Sequence, residues 1–168
     1  MHDDVVTQIR DWFRKAEAVG VCIVENDNPQ NDPYPDYAIV REFHFEPASL
    51  SKCRLEIWIC EDGLMGFGIE SWKRIAERMT WKTSRQGFVG GFEPHPMPAE
   101  TISSLFHAVA AGDVAVSAAG FAGHLRRASI QVAGTDYSVR GRFTNKVLGV
   151  LDLDRSTILQ YRAWNDPD

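Results

Sequence analysis

A chain of 168 residues, 44% apolar and 24% charged, has the size of one globular domain and can bury a core without covalent staples. Its net charge of −5 argues against a nucleic-acid or anionic-membrane partner and leaves a basic protein as the complementary one. No run approaches the roughly 18 apolar residues that a membrane span needs, and the opening MHDDVV has acids where a secretory leader needs bases, so a cytoplasmic location is expected.

Taken in order, the spacing first predicts a helix over Asp3–Val19. Val5, Val6, Ile9, Trp12, Phe13, Ala16 and Val19 make one broad apolar face. Asp3 and Asp4 open it, Arg14 and Lys15 stand near its end, and Gly20 can stop it. Val21–Glu25 reads as a short strand. Asn26–Asp36 is a long polar loop broken by Pro29, Pro33 and Pro35, the kind of segment that often carries function. Tyr37–Glu46 alternates: Tyr37, Ile39, Arg41, Phe43 and Phe45 share one parity, and Ala38, Val40, Glu42, His44 and Glu46 the other.

The stretch Ser51–Thr80 organises the rest. Leu55, Ile57 and Ile59 alternate with Trp58 and Cys60, and Asp62-Gly63 supplies a two-residue turn. That turn pairs Trp58 with Phe67 and Ile57 with Gly68. Trp58, Cys60, Met65, Phe67 and Ile69 then share one face, and Leu55, Ile57 and Ile59 lie on the other, above Gly66 and Gly68. Both faces are apolar, so the hairpin is expected to be central and covered on both sides. Ser71 can cap a helix whose stripe is Trp72, Ile75, Ala76 and Met79.

Residues 81–98, rich first in Gly and then in Pro, read as an irregular crossover. A third helix is expected over Ala99–Ala111, with Ile102, Leu105, Phe106 and Val109 inward. Asp113–Ser117 reads as a strand and Ala118–Gly123 as a small-residue loop. Arg126–Val132 and Asp136–Phe143 read as a second hairpin around Gly134, with Ala128, Ile130, Val132, Tyr137 and Val139 expected inward. Val147–Leu153 and Thr157–Trp164 complete the strands.

The fold class that follows is α+β: one or two antiparallel sheets of eight or nine strands in all, packed against three helices, in a single domain spanning 1–168. Residues 1–80 and 99–168 share a helix, glycine, strand, loop, hairpin rhythm, which is either a common α+β layout or a diverged duplication joined by 81–98.

Catalytic motifs are scarce. Gly66-Phe67-Gly68-Ile69-Glu70-Ser71 stands where a dinucleotide fingerprint would, but Ser71 replaces the third Gly and the preceding strand belongs to a hairpin. Gly87–Phe92 lacks the Gly-Lys-Ser/Thr ending of a phosphate loop. Asp152-x-Asp154 reads as a solvated rim rather than a metal pair. Cys22, Cys53 and Cys60 include no C-x-x-C and are expected to be free thiols. No cofactor and no metal are called for.

Two functions of different class remain. The first is a non-enzymatic protein-binding module, an inhibitor or immunity-type protein. It would meet a partner through Asp27, Asp32, Tyr34, Asp36 and Tyr37, whose acids and tyrosines suit an interface, or through the arginine face of Arg127, Arg140 and Arg142. The alternative is an enzyme or small-ligand protein using His44 with Glu42 and Glu46, two carboxylates flanking an imidazole on one strand face. A polar cleft converging on His44 would favour the alternative, and a flat charged surface the first.

Overall fold

The computed structural model describes residues 2–27, 36–139 and 156–167. The expected strand Val147–Leu153, the pair Asp152 and Asp154, and most of the Asn26–Asp36 loop lie outside the described residues. Among the described residues, three helices and two antiparallel sheets of five and four strands form the expected α+β class.

The first sheet is a meander in the order β1 (Val21–Asp27), β2 (Ile39–Pro47), β3 (Leu55–Cys60), β4 (Met65–Ser71) and β5 (Phe88–His95). The second has the order β8-β7-β6-β9, with β6 (Val114–Phe121), β7 (His124–Val132), β8 (Thr135–Asp136) and β9 (Thr157–Gln160). The helices are α1 (His2–Glu17), α2 (Trp72–Arg78) and α3 (Ala99–Ala110). No described helix is long and apolar enough to cross a membrane.

One face of the first sheet builds the main core. Phe43, Phe45, Leu55, Ile57, Ile59, Met65, Phe67 and Ile69 are buried there with Ile9 and Trp12 of α1, Phe106 of α3 and Ile130 of β7. Phe13 meets Phe43 and Phe45 edge-on at 5.4 and 5.3 Å between ring centroids, and Trp12 stacks on Phe106 at 4.6 Å. Both amphipathic helices therefore dock through the stripes read from their periodicity.

The central hairpin departs from expectation by one residue. Trp58 pairs with Gly66 and Ile57 with Phe67. The turn has three residues, not two: the Cys60 N–H donates to the Leu64 carbonyl at 2.9 Å, and the Gly63 N–H to the Cys60 carbonyl at 3.0 Å. Gly63, at φ 91°, takes the left-handed position that closes such a loop, and Asp62 Oδ1 accepts from the Leu64 N–H. A one-residue slip exchanges the faces of a strand. Phe67, Met65 and Ile69 thus join Leu55, Ile57 and Ile59 in the main core, while Trp58 and Cys60 lie on the opposite face with the two glycines. Both strands are still covered on both sides, as the double apolar pattern requires.

The second face carries a smaller cluster of Ile39, Trp58 and Cys60, with Tyr37, Leu64 and Phe88 against it. Ile39 is there because the register of β2 slips between Ile39 and Arg41, which breaks the parity it was expected to share with Phe43 and Phe45.

Three further segments differ from the sequence reading. Residues 88–95, expected to be irregular, form β5, and the backbone of Tyr137 and Val139 hydrogen-bonds along its far side. Ala118–Phe121, expected as loop, continues β6, because small side chains fit the buried positions there. Val139 is exposed rather than inward, whereas Ile130 and Val132 are buried as expected.

Candidate functional site

The second face of the first sheet brings the polar residues together. Glu42 and His44 stand on β2, across from Trp58 and Glu56 of β3. On a strand buried on both sides, Glu56 is only 5% exposed and needs charged partners. It finds two. His44 Nδ1 donates to Glu56 Oε1 at 2.7 Å, and Arg54 Nη2 donates to the same oxygen. Arg54 Nη2 also reaches Glu46 Oε1 at 2.8 Å. On the other side of the imidazole, His44 Nε2 lies 3.3 Å from Glu42 Oε2, where Asn26 Nδ2 also approaches. Burial alone would push the His44 pKa down, but the bonds and charges of Glu56, and then of Glu42, outweigh it and raise the pKa.

Ligand atoms of His44, Glu46 and Glu56 all lie within 4.8 Å of one another, close enough to share a cation. Arg54 already supplies a positive charge to both carboxylates. The cluster is a compensated ion network rather than an open metal centre.

Beside this network lies a cleft of about 520 Å3, lined by Arg54 just before β3, Glu56 of β3, Ser71 and Lys73 around the start of α2, and residues 83–88. Its floor depends on the missing side chains of β4. The Phe88 ring fills the place of a β-carbon at Gly68, whose nearest ring atoms would be 2.5 Å away. Two arginines lie on aromatic rings at this cleft. The Arg54 guanidinium is 5.4 Å from the Phe88 centroid, and that of Arg85 is 4.5 Å from the Trp72 centroid. A stacked guanidinium keeps its edge donors available. Arg54 spends donors on Glu46 and Glu56, whereas Arg85 makes no ion pair among the described residues.

Of the residues expected to meet a partner, Asp27, Asp36, Tyr37 and Arg127 are described. Asp27 ends β1, where Arg41 binds it together with Glu25. Asp36 is exposed, and Tyr37 packs on the Ile39–Trp58 cluster. Arg127 is exposed on β7. Asp32, Tyr34, Arg140 and Arg142 lie outside the described residues. Of the alternative set, Glu42 and His44 do meet, and Glu46 joins them through Arg54.

Sequence reasoning missed Arg54, Glu56, Lys73 and Arg85. For Glu56 a signal existed: an acid on the Trp58 parity of a doubly apolar strand demands a buried cation. For Arg85, in an irregular segment, no periodic signal exists.

A second polar group sits beneath the corner between β4 and α2. Ser71 caps α2, its hydroxyl accepting from the Arg74 N–H at 3.2 Å. Glu70, fully buried and at φ 45°, accepts at Oε1 from the Ser71 N–H and from Arg74 Nε. Its Oε2 has no hydrogen-bond partner among the described residues. Burial raises its pKa, against the pull of Arg74. Arg74 also donates to the carbonyls of Pro47, Ser49 and Lys52, so one side chain ties the corner to the β2–β3 connection. Its neighbours Cys53 and Tyr161 are likewise driven up by burial. Of this group only Ser71 lines the cleft, and the Glu70–Arg74 pair reads as structural.

Pockets also include an apolar groove of about 410 Å3 between the ends of α1 and α3, lined by Ala16, Val19, Phe106 and Trp164 among others. It carries few polar groups to orient a ligand. No protein-family model, no curated protein and no solved structure matches this chain.

Proposed function

We propose that this chain is a small-molecule-binding protein that takes an anionic ligand in the cleft over β3, β4 and β5. The observation that carries this is the pair of ring-stacked guanidiniums, Arg54 on Phe88 and Arg85 on Trp72, lining one cavity in a chain of net charge −5. Arg54 is balanced by Glu46 and Glu56, whereas Arg85 has no ion pair among the described residues, and an anionic ligand would supply its counter-charge. Lys73 adds a third cation to the lining, and Ser71, Thr83 and Ser84 add hydroxyls. Glu42, His44 and Glu46 do not line the cleft; it meets their network through Glu56 and Arg54.

Calorimetric titration at low salt against panels of small anions, amines and neutral sugars tests it. Anions should bind, and Arg85→Ala should abolish the binding while leaving the melting temperature nearly unchanged, because Arg85 is exposed. Binding of amines or neutral sugars alone, or anion binding indifferent to Arg85→Ala, overturns the assignment.

A further inference from the structure

We infer that the anionic group this cleft accepts is a phosphomonoester, carried on a small molecule with hydroxyl groups beside it. The inference rests on the cleft being an anion site, as proposed above, and the number of uncommitted charges carries it further. Among the lining residues, Arg54 is committed to Glu46 and Glu56, and Glu56 is also held by His44. Two cations remain. Arg85 has no ion pair among the described residues, and Lys73 has one long, exposed pair within its own helix, with Glu77 at 3.9 Å, which a ligand can displace. Two unit charges match the charge of about −1.5 to −2 on a phosphomonoester at neutral pH, and overmatch a single carboxylate.

The donors agree with the charge. Arg85 brings a planar fork of N–H groups and Lys73 an ammonium. Ser71 Oγ already accepts from the Arg74 N–H and Thr83 Oγ1 from the Arg85 N–H, so each hydroxyl has a lone pair engaged and its proton left to donate. Ser84 adds a third hydroxyl. That set exceeds what the two oxygens of a carboxylate take up and suits the three terminal oxygens of a phosphate.

The opposite wall supplies an acceptor. Glu56 Oε1 takes both His44 and Arg54, while Oε2 makes no hydrogen bond among the described residues. Glu56 lines the cleft, so a ligand hydroxyl has an ionic acceptor to meet there. Phe88 beside it offers an apolar surface to the carbon skeleton. A phosphorylated polyol or sugar has this arrangement of groups.

Titration calorimetry of the full chain tests the inference with sn-glycerol 3-phosphate, ethyl phosphate, dimethyl phosphate, inorganic phosphate and succinate. Glycerol 3-phosphate should bind about tenfold tighter than ethyl phosphate, and ethyl phosphate about tenfold tighter than the monoanionic dimethyl phosphate. Arg85→Ala should weaken both phosphomonoesters at least about tenfold. Succinate binding as tightly as ethyl phosphate, with the same loss in Arg85→Ala, overturns the phosphomonoester inference and leaves the anion site standing. Glycerol 3-phosphate binding no tighter than ethyl or inorganic phosphate overturns the hydroxyl contact to Glu56. Failure of every anion to bind, or binding unchanged in Arg85→Ala, overturns both the inference and the anion site.

Discussion

Trp58 lies directly across the strand pair from Gly66, and its Cε3 is 3.0 Å from where a β-carbon on Gly66 would stand. The ring is 1% exposed, so it is core despite lying on the face away from the main helices. The same β-carbon would meet the Phe92 carbonyl oxygen at 2.8 Å, and backbone cannot swing aside as a side chain can. Gly66→Ala should therefore cost about 1–3 kcal/mol by overpacking, and Trp58→Ala about 3–5 kcal/mol by leaving a cavity. Urea melts read both, and a loss below about 1 kcal/mol for Trp58→Ala would mark the ring as surface.

The three cysteines should report their burial chemically. None is in a disulfide among the described residues; Cys22 is exposed, while Cys53 and Cys60 are buried, and burial drives the Cys53 thiol well up. Native protein should add one equivalent of a thiol reagent quickly, and denatured protein three, without reductant. Two or three fast adducts on native protein would show that the hairpin opens.

Stability should depend on the charge of His44. The groups facing it are Glu56, Glu42 and Asn26, with Arg54 and Glu46 one contact further out. Its folded pKa is raised above the ordinary 6.5. A raised pKa means that the folded state holds the proton more tightly. The stabilisation is thus fully present below about pH 6.5 and is lost as pH rises through the folded value. Chemical denaturation from pH 6 to pH 9 should show this fall, and His44→Gln should flatten it. An equal slope in the variant would assign the pH dependence to other groups.

Removing Arg74 should be among the costliest single changes. Arg74→Ala strips three carbonyls of a donor and leaves the carboxylate of Glu70 buried without its cation, a loss of about 3–5 kcal/mol. Glu70→Gln keeps an acceptor for the Ser71 N–H and removes the charge, so it should cost far less. In the double variant the Arg74→Ala penalty should shrink. Additive losses in a double-mutant cycle would show that the ion pair contributes nothing beyond the carbonyl bonds.

Local patterns determined much of this protein. The stripes of α1 and α3, the Ser71 cap and the strand identity of Leu55–Cys60 were legible because each depends on periodicity and short-range hydrogen bonds within a few residues. The assignment of Glu42 and His44 to one strand face was legible for the same reason. Register was not. Glu61-Asp62-Gly63 closes a three-residue turn where Asp62-Gly63 alone suggested two, and that single residue decided whether Phe67 or Gly66 lies under Trp58. β5 was hidden as well, because Gly90, Gly91 and Pro94 weaken every local strand signal; the residues form a strand because β4 on one side and Tyr137–Val139 on the other supply hydrogen-bond partners. The cleft belongs entirely to the tertiary level. Arg54 with Glu56, Lys73 and Arg85 come from three separate segments, and only the closing of β3, β4 and β5 into one sheet places their charges around a common space.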